Sequence, residues 1–105
     1  MTWQAGPLPR PTDARQALKC VRSGNRVWIG PGCATPSPLV NALVERGAEL
    51  RDVEVVHMMT LGDAPYTRPE FKGHFRHNGL FLGGNVREAV QQGRADYTPI
   101  FLSEI

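Results

Sequence analysis

Two glycine-bearing junctions hold the residues best placed to meet a ligand. The first is Gly30-Pro31-Gly32-Cys33-Ala34-Thr35-Pro36-Ser37 and the second is Gly83-Gly84-Asn85-Val86-Arg87. Each follows a short apolar run and precedes a helix-like pattern. In parallel α/β sheets, ligands bind beyond the carboxyl ends of strands, at such turns. Glycine lets backbone approach a ligand closely, and the free N–H groups of a helix start favour anions. Arg87, in the first turn of the second helix, could add a bidentate contact to a carboxylate or phosphate. Neither junction matches the Walker-A motif or the dinucleotide-binding fingerprint. Spacing alone favours ordinary tight turns, with Arg87 on a solvated face.

Other reactive side chains form weaker patterns. Cys33 lies near a helix start, where a thiolate is stabilised, and with His57 it could make a nucleophile and base pair. No third residue that would orient such a base can be identified. His74 and His77 could share a metal with Cys33 or His57, but the rest of a ligand pattern is missing. They read as loop histidines in a flexible polar segment, and no metal is expected. His57 reads as a half-buried, hydrogen-bonded histidine at a strand end. Cys20, between Leu18 and Val21, reads as a small core residue. Asp96-Tyr97 reads as a turn rather than an acid–base pair. Tyr66, Phe71, Phe75 and Phe81 are interleaved with Arg68, Lys72, Arg76 and His77, like a surface for single-stranded nucleic acid. Burial of the aromatic side of an irregular flap against a sheet is the simpler reading.

These residues need elements to hold them. Pro7, Pro9 and Pro11 make residues 1–11 an extended arm, with the domain proper over 12–105. Thr12 can cap a helix reaching about Ser23, stopped by Gly24-Asn25. Arg26 to Ile29 reads as a buried strand. Ser37 offers a cap and Pro38 suits a first helical turn. Leu39, Val40, Leu43 and Val44 recur at helical spacing, with Gly47 as a left-handed stop. Val53 to His57 reads as a second strand. Thr60 to Asn78 shows little periodicity and reads as a long loop. Leu80-Phe81-Leu82 is a third strand, Asn85 a cap, Gly93 a stop, and Asp96 to Leu102 a last strand. The alternation predicts an α/β fold with a mainly parallel sheet.

Composition narrows the class. The chain has 105 residues, 41% of them hydrophobic and 21% charged, which describes one globular domain. Its net charge of +2 comes without a block of like charge, so nucleic acid is not an expected partner. No apolar run approaches the roughly 20 residues that span a bilayer, so no membrane association is expected. The amino terminus lacks a secretory pattern. Two cysteines are too few for a disulfide scaffold, so a cytoplasmic setting is the default.

The segment from Gly83 to Ile105 carries a more specific signal. Its Asn85-Val86-Arg87 helix start, Gly93-Arg94-Ala95-Asp96-Tyr97 turn and Pro99-Ile100-Phe101-Leu102-Ser103-Glu104-Ile105 end resemble the N-terminal domain of the acetyl-CoA hydrolase/transferase family. That family includes 4-hydroxybutyrate, butyrate and succinate CoA-transferases. Gly30 to Leu43, Val53 to His57, Leu61 to Tyr66 and His74 to Gly84 agree with it in order. The resemblance implies a three-layer, Rossmann-like CoA-transferase fold. It implies coenzyme A as a substrate, moved between carboxylic acids through a glutamyl-CoA thioester, or released by hydrolysis. A glutamate attacks the acyl thioester to give a mixed anhydride and CoA thiolate. The thiolate then attacks the glutamyl carbonyl and the first carboxylate leaves, and the steps reverse on a second acid.

In the family, that glutamate and most CoA contacts belong to the C-terminal domain, which this sequence does not include. Glu104 matches another position, so no catalytic residue is carried over. The resemblance assigns Gly30, Gly32, Cys33, Ala34, Thr35, Gly83, Gly84, Asn85 and Arg87 to the edges of an acyl-CoA or carboxylate cleft. The expected role is a half-domain, inactive alone, whose partners are a chain bearing the C-terminal half or a second copy of itself. A non-catalytic small-ligand or protein-binding domain on the same fold is the alternative.

Overall fold

The structure is a computed structural model that describes residues 6–105. The arm expected over 1–11 therefore lies partly outside the described residues. The chain runs α1 (Ala14–Ala17), β1 (Arg26–Trp28), α2 (Ser37–Glu45), β2 (Val53–His57), β3 (Phe75–Gly79), α3 (Gly84–Gln91) and β4 (Ala95–Tyr97). The four strands form one sheet in the order β1-β2-β3-β4, and every pairing is parallel. This is the α/β class that the alternation of patterns predicts.

The strand order also fixes where the connections go. Each crossover steps one strand further in the same direction, and right-handed crossovers then put all of them on one face. A single core cluster agrees: Val40 and Leu43 of α2, Tyr66, and Val86 of α3 all pack with Val53, Val55 and Phe75. Strand residues alternate accordingly. Val53, Val55 and His57 are buried, while Glu54 and Val56 are half-buried. The second face carries Arg26, Glu54, Arg76 and Asp96, joined as exposed ion pairs Arg26–Glu54 and Arg76–Asp96, together with Trp28 and Val56; β1 is thus not the buried strand expected, since Arg26 and Trp28 are exposed. Among the described residues, helices cover the sheet on the core side.

Several local expectations change. The first helix is one turn, capped by the Asp13 carboxylate, which accepts from the Gln16 N–H, rather than by Thr12. It tightens into a 3-10 turn over Leu18–Cys20 and stops before Ser23. Cys20 is exposed, with its thiol donating to the Ala17 carbonyl, so it is not a core residue. Ser37 lies inside α2, whose cap position is Pro36. Gly47 opens a 3-10 turn rather than a left-handed stop. It is needed for space, since a Cβ there would lie 2.6 Å from the Phe71 ring.

The third strand is Phe75–Gly79, inside the stretch expected to be a loop, and Leu80 to Leu82 follow it. The reason is visible in burial: Phe75, His77 and Gly79 alternate inward, but two of these three are not apolar by type. The last strand ends at Tyr97, and residues beyond it run over the surface into a 3-10 turn at Leu102–Glu104.

Candidate functional site

The two glycine junctions meet at the carboxyl edge of the sheet, and Thr60 joins them. Gly32, at φ +55°, donates its N–H to the Met59 carbonyl at 2.7 Å and bridges in parallel to Thr60. The segment after β1 thus runs beside the segment after β2 and prolongs the sheet by one rung. The Thr35 hydroxyl lies 2.8 Å from the Gly32 carbonyl and 3.1 Å from that of Gly30, and it accepts from the Leu61 N–H at 3.2 Å. From the other side, the Asn85 amide donates to the carbonyls of Thr60 at 3.2 Å and Gly62 at 2.9 Å. The result is a clasp: Thr35 holds Leu61, Thr60 is buried, and Asn85 holds Thr60 and Gly62.

Asn85 was expected as a helix cap. The structure gives that position to Gly83 and places Asn85 inside α3, where its side chain reaches across to the β2 segment. Gly84 opens α3 with nothing near the place a Cβ would take. Gly30 is tighter, because a Cβ there would lie 3.1 Å from the Ala34 carbonyl oxygen. Cys33 and Ala34 are exposed at the tip of the first junction. Arg87 is exposed on α3. A cavity of about 360 Å³ opens beside the clasp, lined among others by Thr35, Asn41, Thr60, Asp63, Tyr66 and Arg68.

Beneath the clasp lies a buried polar cluster. The His57 and His77 rings stack with centroids 4.1 Å apart at 21°. Tyr66 and His57 share a 2.7 Å hydrogen bond between hydroxyl and Nε2. His77 Nδ1 donates to the Val55 carbonyl at 3.0 Å, which fixes its neutral tautomer and leaves Nε2 as an acceptor. Neither His57 Nδ1 nor His77 Nε2 has a partner among the described residues. Burial, with a smaller contribution from His77, holds the His57 pKa down at about 3. Burial also lowers His77, against the raising effect of the Val55 carbonyl. Burial pushes the Tyr66 phenol up to about 12, with the Thr60 hydroxyl acting in the opposite sense.

These facts redraw the histidine expectations. His57 is fully buried rather than half-buried, and His77 is a core residue of β3 rather than a loop histidine. His74 sits at the other end of the sheet, with Nδ1 on the Leu50 carbonyl and Nε2 near Arg51. His74 and His77 therefore do not converge, and His57 turns to Tyr66 rather than to Cys33. No group of three His, Cys, Asp or Glu among the described residues could hold a metal. No described helix is long and apolar enough to cross a membrane. Of the aromatic residues in the expected flap, Tyr66 and Phe75 are buried, while Phe81 is exposed.

Thr60 is the residue that sequence reasoning missed, and for Tyr66 it gave burial but not the bond to His57. Thr60 stands between Met58-Met59 and Leu61, a lone polar residue in an apolar run just past a strand. That position was the available signal. What the clasp offers chemically is shape and fixed dipoles: two glycine-lined turns and one helix start held in mutual register. A second, apolar concavity of about 280 Å³ adjoins this edge, lined by Met58, Met59, Leu80, Phe81, Ile100 and others.

Residues 9–105 match the model of the acetyl-CoA hydrolase/transferase N-terminal domain. The chain is 39% identical over its whole length to the 4-hydroxybutyrate coenzyme A transferase of Clostridium kluyveri, covering 24% of that protein. It is 49% identical over 87 residues to a succinyl-CoA:acetate/propanoyl-CoA:succinate CoA transferase of Fasciola hepatica, covering 18% of it. Among solved structures, RipA from Yersinia pestis superposes with a TM-score of 0.79 at 20% identity. That match covers 89% of this chain and 24% of RipA, and it speaks to the fold. The chain thus spans about a quarter or less of the length of these proteins.

Proposed function

Because the chain belongs to the acetyl-CoA hydrolase/transferase family through that family's N-terminal domain, we propose that it forms one wall of a cleft for acyl-CoA or a carboxylate. The observation that supports this best is the clasp of Thr35, Thr60 and Asn85, which holds both glycine junctions at the carboxyl edge of the sheet. In this reading Gly30, Gly32, Cys33, Ala34 and Thr35 form one lip. Gly83, Gly84 and Asn85 form the other, and Arg87 supplies a cation for a carboxylate or phosphate group. Coenzyme A is the substrate, and no metal takes part.

The chain's own part is to bind and orient. In this reading the nucleophilic glutamate belongs to the rest of the family fold, and these 105 residues bind and orient rather than react. The relatives' greater length supports such a missing region. The apolar concavity beside Phe81 and Ile100 suits contact with that polypeptide, and self-association through it is the lesser form of the same proposal. A cytoplasmic setting belongs to this reading.

Calorimetric titration with coenzyme A and with acetyl-CoA tests it, each with and without excess acetate. Saturable binding that weakens about tenfold in Arg87→Ala is expected. No binding at millimolar ligand would leave the lips without an autonomous site. Adding a partner that bears the missing region should then restore both binding and acyl exchange, and failure there would overturn the proposal.

A further inference from the structure

A third concavity, of about 460 Å³, lies at the amino end of the sheet. Asp52, Phe75 and Arg94 line it where β2, β3 and β4 begin, so it faces away from the clasp. Four cationic side chains line it, Arg68, Lys72, Arg76 and Arg94, against one carboxylate, Asp52. Arg68, Lys72 and Arg76 come from one nine-residue stretch, and the fold brings Arg94 to them from beyond α3.

Their partners decide what is left for a ligand. Arg76 is neutralised by Asp96, gripped at 2.8 and 2.7 Å, and also donates to the Gly93 carbonyl. Arg94 is held by neutral acceptors only, the Thr67 carbonyl and the Gln92 side chain. Among the described residues, neither Arg68 nor Lys72 enters an ion pair. Three cations without a carboxylate partner, less Asp52, leave an excess of two positive charges, which equals the formal net charge of the whole chain. Gly73 and Gly93, at φ +82° and +75°, form part of the lining and let backbone come close to a bound group. Pro69 and the edges of the otherwise buried Tyr66 and Phe75 rings add an apolar wall.

We propose that this concavity binds a small phosphate-bearing anion, with Arg68 and Lys72 on the phosphate oxygens and the Tyr66–Phe75 wall beside any organic part. The site is separate from the cleft proposed above and does not depend on it. The site shares Tyr66 and Arg68 as lining residues with the cavity beside the clasp, so these two meet back to back at the turn Pro65–Thr67.

Calorimetric titration of the full chain at low ionic strength, with pyrophosphate and separately with adenosine diphosphate, tests the proposal. Saturable binding with a Kd near or below about 1 mM is expected. The double variant Arg68→Ala/Lys72→Ala should weaken it at least about tenfold, while Lys19→Ala/Arg22→Ala, with the same loss of charge elsewhere, changes it by less than about threefold. Both pairs are exposed, and matching circular dichroism spectra will show that the folds are retained. Amide resonances of Gly73 and Gly93 should shift on binding, and those of Gly32 and Gly84 should not. Tighter binding of the nucleotide than of pyrophosphate supports use of the apolar wall, and equal affinity supports a phosphate-only site. Absence of saturable binding by both anions, or equal weakening in both double variants, overturns the proposal.

Discussion

Acidification should unfold this protein early, through His57. In the unfolded chain a solvated histidine takes up a proton near its ordinary pKa of about 6.5. In the fold the His57 ring is fully buried, and its pKa is held down at about 3. The unfolded state therefore binds the proton first. The stability contributed by neutral His57 is fully present above about pH 6.5 and is lost as pH falls from there toward 3. Within that window each pH unit removes about 1.4 kcal/mol, so a change from about pH 7.5 to 5 removes about 2 kcal/mol through this ring. His77 acts in the same direction, since burial lowers its pKa as well. Asp96 does not enter, because Arg76 lowers its pKa below the ordinary 3.8. For a chain of this size, 2 kcal/mol is a fall in Tm of about 8–16 °C. Thermal melts followed by circular dichroism at the two pH values measure it. His57→Phe keeps a ring against His77 and removes the titration. Whatever its stability at neutral pH, that variant should lose the part of the fall that His57 supplies and so show a clearly smaller fall than the native chain. An unchanged Tm in the native chain, or the full fall in His57→Phe, would refute the reasoning.

Other outcomes follow from the same geometry. Asn85→Ala removes the donors to the Thr60 and Gly62 carbonyls and should cost about 1–2 kcal/mol. Hydrogen exchange at Leu61 should quicken in that variant more than at Val55, if the clasp holds the edge rather than the core. Gly47→Ala drives a methyl to 2.6 Å from the Phe71 ring and should cost about 1–3 kcal/mol by denaturant unfolding. Gly84→Ala meets open space in the first turn of α3, so its effect should be neutral to stabilising by up to about 1 kcal/mol.

The contrast between these two glycines shows what the sequence could and could not reveal. Turn composition marks Gly30, Gly32, Gly83 and Gly84 as junctions, because glycine and proline interrupt apolar runs there. Helical spacing likewise marks α2 and α3. Gly47 and β3 were less legible, for a shared reason. Gly47 is glycine because Phe71 and Phe75 approach it from a distant part of the chain. β3 buries a histidine and a glycine where a strand pattern leads one to seek valine. His77 can face inward only because Val55 takes its proton donor and His57 stacks on it. Each explanation lies on another strand or loop, beyond any local window. The junctions could be read, but not the Thr60 link that makes one site of them.

Among the described residues two surfaces of the sheet lie uncovered, and they differ in what they need. Parallel sheets are usually covered on both faces. Here the face turned away from the core has exposed charges already paired, Arg26 with Glu54 and Arg76 with Asp96. Asn78 bonds to Glu54, and Thr98 to Asn78. Water can solvate these paired charges at little cost, and Trp28, half exposed beside Val56, is the apolar exception on that face. The carboxyl edge has no such compensation. Phe81, Phe101, Leu102 and Ile105 are each more than half exposed there, around the concavity that Met58 and Leu80 also line. Apolar area in water is the costlier surface. A covering polypeptide would gain most at this edge, beside the clasp, and least on the charged face. Replacing Phe81 and Leu102 with Ser should therefore weaken association with a polypeptide bearing the rest of the family fold. Replacing the Arg26–Glu54 pair with Ser should leave it nearly unchanged, and the reverse order of effects would mean that the sheet face, not the edge, is the covered surface.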